Sequence, residues 1–154
     1  MAQRYWLMKS EPDVFSIHDL AKASRQTTFW EGVRNYQARN LLRDEIQVGD
    51  GVLFYHSSAK PPAVAGTAKV VRAARPDPSQ WDATSDYHDP DSPADNPRWF
   101  GVDIALDRIF DRPLPLDELK QVKALQSMVL LQRSRLSVQP VTAAEWKTIL
   151  ALAR

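Results

Sequence analysis

Apolar and polar positions along the chain fall into short runs of two periods, one near two residues and one near 3.6. The run Arg4-Tyr5-Trp6-Leu7-Met8-Lys9 is aromatic and apolar and stops at Glu11-Pro12, which predicts a strand. Ser16-Ile17-His18-Asp19 has the Ser-x-x-acid spacing that opens a helix, and Leu20 to Ala23 continue it. Thr27-Thr28-Phe29-Trp30 leads into Gly32, and Asn35 is placed to cap a helix whose apolar positions are Tyr36, Ala38, Leu41 and Leu42. Val48-Gly49-Asp50-Gly51 is turn chemistry. Val52 to Tyr55 follow it as a strand, Ser57 to Pro62 as a loop, and Val64 to Val71 as a second strand paired with the first.

The second half opens differently. Seven of the 11 prolines lie between Pro76 and Pro115, so the stretch from Asp77 to Pro97 reads as an irregular excursion. Val102, Ile104 and Leu106 alternate with Asp103, Ala105 and Asp107, the period of a half-buried strand. Pro115-Leu116-Asp117-Glu118-Leu119 opens a helix with proline in its first turn, and Leu125, Met128 and Val129 keep helical spacing. Leu136 to Pro140 reads as extended. Thr142-Ala143-Ala144-Glu145 is a capping box before a helix carrying Trp146, Ile149 and Leu150 on one face. With no internal repeat, residues 1–154 read as a single α+β domain built on a curved sheet or small barrel.

Composition narrows the chemistry. A chain of 154 residues needs no disulfide or metal to hold its core, and it has no cysteine, which removes thiol catalysis and the common zinc sites. The N-terminus runs straight into a strand with no apolar signal core, and no apolar run reaches the ~18 residues of a membrane span. The expectation is a cytoplasmic protein, or a nuclear one in a eukaryote. The net charge of +1 hides an asymmetry: Asp77, Asp82, Asp86, Asp89, Asp91 and Asp95 fall in one stretch without Lys or Arg. Taking those six negative charges from +1 leaves +7 on the remainder, a body suited to phosphates with one acidic loop beside it.

Several chemistries fail on pattern. His18, His56 and His88 are scattered, and the acidic loop lacks the glycine and glutamate of a calcium loop, so no metal is expected. Five glycines form no phosphate-cradling motif, so no nucleotide cofactor is expected. His56-Ser57 invites a hydrolase reading, but neighbours on a strand point to opposite faces. The five tryptophans say more. Taken singly a tryptophan is usually core, as Trp146 reads, but Trp30 precedes Glu31, Gly32, Arg34 and Asn35 on a polar turn before a helix. A large aromatic so placed makes a wall for a planar ligand, and stacking on a base contributes roughly 1–3 kcal/mol.

Four segments together resemble the EVE domain family. They are Tyr5-Trp6-Leu7-Met8-Lys9-Ser10-Glu11-Pro12, the run from Trp30 to Asn40, Phe54-Tyr55-His56-Ser57, and Arg135-Leu136-Ser137-Val138-Gln139-Pro140, with Arg98-Trp99 also fitting. The resemblance covers essentially the whole chain. It implies a PUA-like fold, a strongly bent mixed sheet near a closed pseudo-barrel flanked by short helices. Related YTH and SRA domains hold a modified base in a pocket. In YTH domains a Lys-Ser pair ends the first strand and a tryptophan precedes a helix, and Lys9-Ser10 and Trp30 match these.

The resemblance therefore implies a non-catalytic module that reads a base, a methylated or otherwise modified one, in single-stranded or flipped form from DNA or RNA. Trp30 would stack on the base, with Tyr55 or Trp99 completing the wall. Ser10, Asn35, Ser57 and Gln139 would bond its edges, and Lys9, Arg34, Arg39 and Arg98 would meet phosphates. The plainer alternatives are that Asn35 only caps a helix and that Gln139 only ties down the backbone before Pro140. Two other functions stay open on the same scaffold: a small-molecule or peptide module, and a hydrolase, for which His56 would be the base.

Overall fold

A computed structural model describes residues 3–132 and 135–153; Met1 and Ala2, at the head of the first expected strand, lie outside them. The chain order is β1 (Tyr5–Ser10), α1 (Ile17–Lys22), β2 (Thr27–Phe29), α2 (Tyr36–Asp44), β3 (Gly51–His56), β4 (Ala63–Pro76), β5 (Phe100–Pro115), α3 (Leu116–Leu119), α4 (Val129–Gln132), β6 (Val138–Val141) and α5 (Ala143–Leu152). The strands form one six-stranded sheet in the order β2-β5-β4-β3-β1-β6. Only β1 and β3 run parallel. The α+β, PUA-like architecture is thus the expected one, but the sheet is mixed and not closed. Its outer members are the three-residue β2 and the four-residue β6, too short to seal a barrel.

Strand alternation explains the two cores. In β1, Trp6 and Met8 face one core while Leu7 faces the other; in β3, Val52 and Phe54 face the first while Leu53 and Tyr55 face the second. Strands buried on both sides need apolar residues at consecutive positions, which is why β1 and β3 read as unbroken apolar runs. The first core is closed by Ile17 and Leu20 of α1 and by Ala38 and Leu42 of α2. The second is closed by Leu119 of α3, Leu130 of α4 and Ile149 of α5. Trp6 is fully buried, and its indole N–H is satisfied by the Asp50 carboxylate at 2.9 Å.

The helix starts are those the sequence predicts. Ser16 and Thr142 each form reciprocal capping boxes, with Asp19 and Glu145 respectively, and the Asn35 side chain accepts from the Ala38 amide. Where the sequence suggests one helical stretch around Leu125 to Val129, there is a 3-10 turn at Lys123–Leu125 and then the short α4, with Leu125 and Met128 both in the core.

The largest departure is β5. The alternation at Val102 to Leu106 marks only part of a 16-residue strand that pairs with the 14-residue β4. Their register shifts at four points, and each shift resets which side chains face inward, so no single period runs through either strand. Gly66 sits at one shift, where a Cβ would come within 2.2 Å of the Arg108 carbonyl. The two strands can approach there only because that atom is missing.

A candidate base-binding cavity

The cavity forms where β1 ends, on the side of the sheet carrying the first core. β1 delivers Ser10 and the turn behind it supplies Phe15. β2 runs out at Phe29, where the Trp30 amide donates to the Val102 carbonyl at 2.8 Å and holds the next residues beside β5. The chain then turns through Gly32, which has φ +85°, before Asn35 starts α2. The volume enclosed is about 660 Å³, within the range of small-ligand sites.

Six of the residues expected from the sequence line it: Lys9, Ser10, Trp30, Arg34, Asn35 and Ser57. Trp30 is only 7% exposed and packs edge-on to Phe54, with ring centres 5.4 Å apart, so it is core and cavity wall at once. The Ser10 hydroxyl donates to the Phe15 carbonyl at 2.6 Å, which commits its proton and leaves its lone pairs to accept. Asn35 is the converse case: Oδ1 is committed to the Ala38 amide at 2.9 Å, and the amide N–H groups remain to donate. Helix cap and ligand donor are therefore compatible roles. Burial holds the Lys9 ammonium below the ordinary lysine range, and that group lies 5.9 Å from the centre of the Tyr55 ring.

Arg34 reaches the cavity but has its donors engaged. Nε and Nη2 donate to the Tyr87 carbonyl at 3.0 and 2.6 Å, Nη2 also to the Ser79 hydroxyl at 3.0 Å, and Nη1 to the Val33 carbonyl and Asp77 carboxylate at 2.9 and 3.1 Å. A phosphate contact would require it to release some of these.

The other expected residues sit elsewhere. Tyr55 is 3% exposed and belongs to the second core, across the sheet from Trp30. Trp99 is buried, stacks on Tyr36 with ring centres 4.9 Å apart, and donates its indole N–H to Asp89 at 2.7 Å. Gln139 is fully buried on β6, where its amide donates to the Leu136 carbonyl at 2.8 Å, the backbone-tying role. Arg39 donates to the Arg98 carbonyl at 2.7 Å, and the Arg98 guanidinium lies 3.6 Å from Asp89. Arg39 lies on α2 and Arg98 beside it, both outside the cavity. The His56 Nε2 accepts from the Ile17 amide at 3.0 Å, so the imidazole serves as a cap for α1.

Sequence reasoning missed Glu11, Glu31 and Tyr87, all of which line the cavity. Tyr87 comes from the acidic stretch, which is not held aside as its charge implies. Asp77 is fully buried: Oδ2 accepts from the Gly32 amide at 2.8 Å and from Arg34, and Oδ1 from the Ser79 amide and hydroxyl at 2.9 and 2.6 Å. Gln80, also fully buried, bonds the carbonyls of Asp77 and Trp99 and accepts from Ser92. Two of the six aspartates thus serve as fastenings, Asp77 to the cavity turn and Asp89 to Trp99. The available signal was Asp77-Pro78-Ser79, whose spacing predicts a side-chain-closed turn with its own fixed shape.

Glu11 and Glu31 line the cavity, while Arg34, which also lines it, is already paired with the buried Asp77, and the Lys9 ammonium lies over the Tyr55 ring. That favours an uncharged planar ligand over a phosphate, with donors (Asn35) and acceptors (Ser10, the two carboxylates) to distinguish its edges. Among the described residues no cluster of three His, Asp or Glu is placed to hold a metal ion, and no helix is long and apolar enough to cross a membrane.

Comparison with known proteins bears on the family. Human thymocyte nuclear protein 1 is 45% identical over 165 residues, spanning 96% of this chain and 73% of the human protein. The crystal structure of human THYN1 in complex with 5-methylcytosine-containing DNA superposes with a TM-score of 0.95 at 43% identity, covering 99% and 98% of the two chains. A hypothetical protein from Leishmania major gives a TM-score of 0.95 at 49% identity over 99% and 95%. The EVE domain model matches residues 4–152, and with these identities along nearly its whole length the chain belongs to the EVE domain family.

Proposed function

We propose that this protein is a non-catalytic nucleic-acid-binding module that takes a single base, methylated or otherwise modified, into the cavity beside Trp30. The observation that carries the reading is the cavity itself: an aromatic wall, a polar set split into fixed donors and acceptors, and an arginine already paired with Asp77. The likeness to human THYN1, whose structure holds 5-methylcytosine-containing DNA, supports nucleic acid as the partner and a methylated cytosine as the first base to try.

The phosphodiester backbone stays outside in this reading. Arg39 on α2 and Arg98 beside it lie outside the cavity, and Lys9 is among its lining residues; these are the candidates for phosphate contact. A base paired in a duplex must first be extruded at a cost of a few kcal/mol, so single strands bind more readily. Burying a methyl group contributes under about 1 kcal/mol, so discrimination rests on shape and on leaving no polar group unpaired. The Nε2 of His56 accepts from the Ile17 amide, which weighs against its use as the base of a hydrolase.

The test is the affinity of short single-stranded DNA and RNA oligonucleotides carrying cytosine, 5-methylcytosine or 5-hydroxymethylcytosine at one position. One form should bind more tightly than the others, and Ser10→Ala should narrow that preference in a protein that stays folded, with the small loss of stability expected from the missing bond to the Phe15 carbonyl. Trp30→Ala is a poorer probe, because the ring also fills the core. Equal affinity for every base with a steep salt dependence marks a general backbone binder instead. No binding moves the reading to a small-molecule or peptide ligand.

A further inference from the structure

Trp30 offers little surface to a ligand. It is 7% exposed, and Phe54 meets it edge-on from the core side. A planar ligand stacked on one partly covered ring is held less firmly than one stacked between two. Phe15 and Phe29 also line the cavity, but Phe15 packs against the first core and Phe29 ends β2; the aromatic brought in by the acidic stretch is Tyr87, which is half-buried.

Three observations fix where Tyr87 stands. Its ring lies directly on Gly32, where a Cβ would come within 2.6–2.8 Å of three ring carbons, so the ring occupies space that any other residue at position 32 would fill. Its carbonyl is gripped by Nε and Nη2 of Arg34, whose Cζ also lies 5.7 Å from the ring centre. Its amide donates to the Ser85 hydroxyl at 3.0 Å. The ring is therefore set in place before any ligand arrives, which is the condition for a wall that discriminates by shape. Burial, with Glu31 and Glu11 nearby, pushes the phenol above its ordinary range, so it stays protonated and uncharged across physiological pH.

We propose that Tyr87 is a specificity-determining residue: its ring, carried in by the acidic loop, is the cavity wall that works with Trp30 to hold the base. This rests on the base-reading function proposed above. It also assigns a purpose to the loop, whose buried Asp77 and Gln80 fastenings hold the segment bearing Tyr87 against the Gly32 turn.

The readout is the ratio of two affinities: a single-stranded oligonucleotide with one central 5-methylcytosine, against the same strand with an abasic site there. A wall that touches the base moves this ratio, whereas a residue that merely supports the fold or meets the backbone moves both affinities together. In Tyr87→Leu, which keeps volume over Gly32 but removes the flat ring, the ratio should fall about tenfold, the scale of one lost base-stacking contact. Tyr87→Phe should keep it within about threefold of the natural protein. Hydrogen exchange at the Gly32 amide, bonded to Asp77, reports whether the loop remains fastened in each variant. A fastened Tyr87→Leu protein with the natural ratio overturns the proposal. So does a Tyr87→Leu protein that weakens equally for both strands. Should the natural protein itself bind the two strands equally, the base-reading function fails first; discrimination kept in both variants removes Tyr87 alone.

Discussion

The Arg34 guanidinium lies 3.1 Å from the buried Asp77 carboxylate and so joins the turn that shapes the cavity to the loop that supplies one of its walls. Asp77 has no exposed side-chain surface and Arg34 retains 22%. Removing one partner of such a pair strands the other charge away from water, which costs about 3–5 kcal/mol when burial is complete. Because Arg34 is partly exposed and Asp77 keeps three other hydrogen bonds, the lower end applies. Arg34→Ala should lower unfolding stability by about 2–3 kcal/mol in a denaturant titration. A loss below about 0.5 kcal/mol would show that the joint is replaceable by water.

That joint also marks the boundary of what the sequence discloses. β1 and β3 were legible because burial on both faces demands unbroken apolar runs, and the caps at Ser16, Asn35 and Thr142 because a helix start needs particular side chains at fixed offsets. β5 was legible only between Val102 and Leu106, since bulges scramble its period elsewhere. Tyr36 reads as an apolar helix position but is 52% exposed, resting on Trp99. In the cavity, residues adjacent in sequence to Trp30 and Ser10 were found. Tyr87 was not, because its partner Gly32 is 55 positions away and an aspartate-rich stretch reports its charge, not its hydrogen bonds.

Trp99 and Asp89 give a pH-dependent handle on the loop. The indole N–H bond, with help from the Asp91 amide and Arg98, holds the Asp89 carboxyl below its ordinary range. A carboxyl whose folded pKa is depressed adds stability above its unfolded value, near 4, and that stability is lost as pH falls through the folded value. Trp99 should therefore become more solvent-exposed below about pH 4, read as a red-shifted component of the tryptophan emission. Asp89→Asn keeps an acceptor for the indole without titrating, so it should lose this response. An identical acid transition in both proteins would place the titrating group elsewhere.

His56 predicts a second pH effect, in a milder range. Burial, with His18 close by, holds its imidazole pKa below the ordinary 6.5, so the folded protein keeps it neutral and able to accept from the Ile17 amide. Here the unfolded chain binds the proton first. The contribution is complete above about pH 6.5 and is lost as pH falls from there toward the folded value. The melting temperature should fall as the pH is lowered from 7 to 5. His56→Gln, which can accept the same bond without titrating, should flatten that slope. A slope unchanged in the variant would contradict this role for His56.

Asn35 should separate its two roles. Asn35→Asp keeps the oxygen that caps α2 but replaces the amide donors with an acceptor. Stability should stay within about 0.5 kcal/mol, since both residues cap well. Affinity for the preferred base should fall about tenfold or more, because a donor facing the base becomes a charged acceptor. Unchanged affinity would confine Asn35 to capping.

Entry of a base between Trp30 and Tyr87 would be read most directly in where the protein's own resonances move. In an amide and indole NMR titration, a short single strand with one 5-methylcytosine should shift the Trp30 indole and the amides of Ser10, Gly32 and Asn35 together. The abasic strand should leave these four in place while shifting signals near Arg39 and Arg98. Identical shift patterns with the two strands, or shifts that leave the cavity untouched, would contradict entry of a base there.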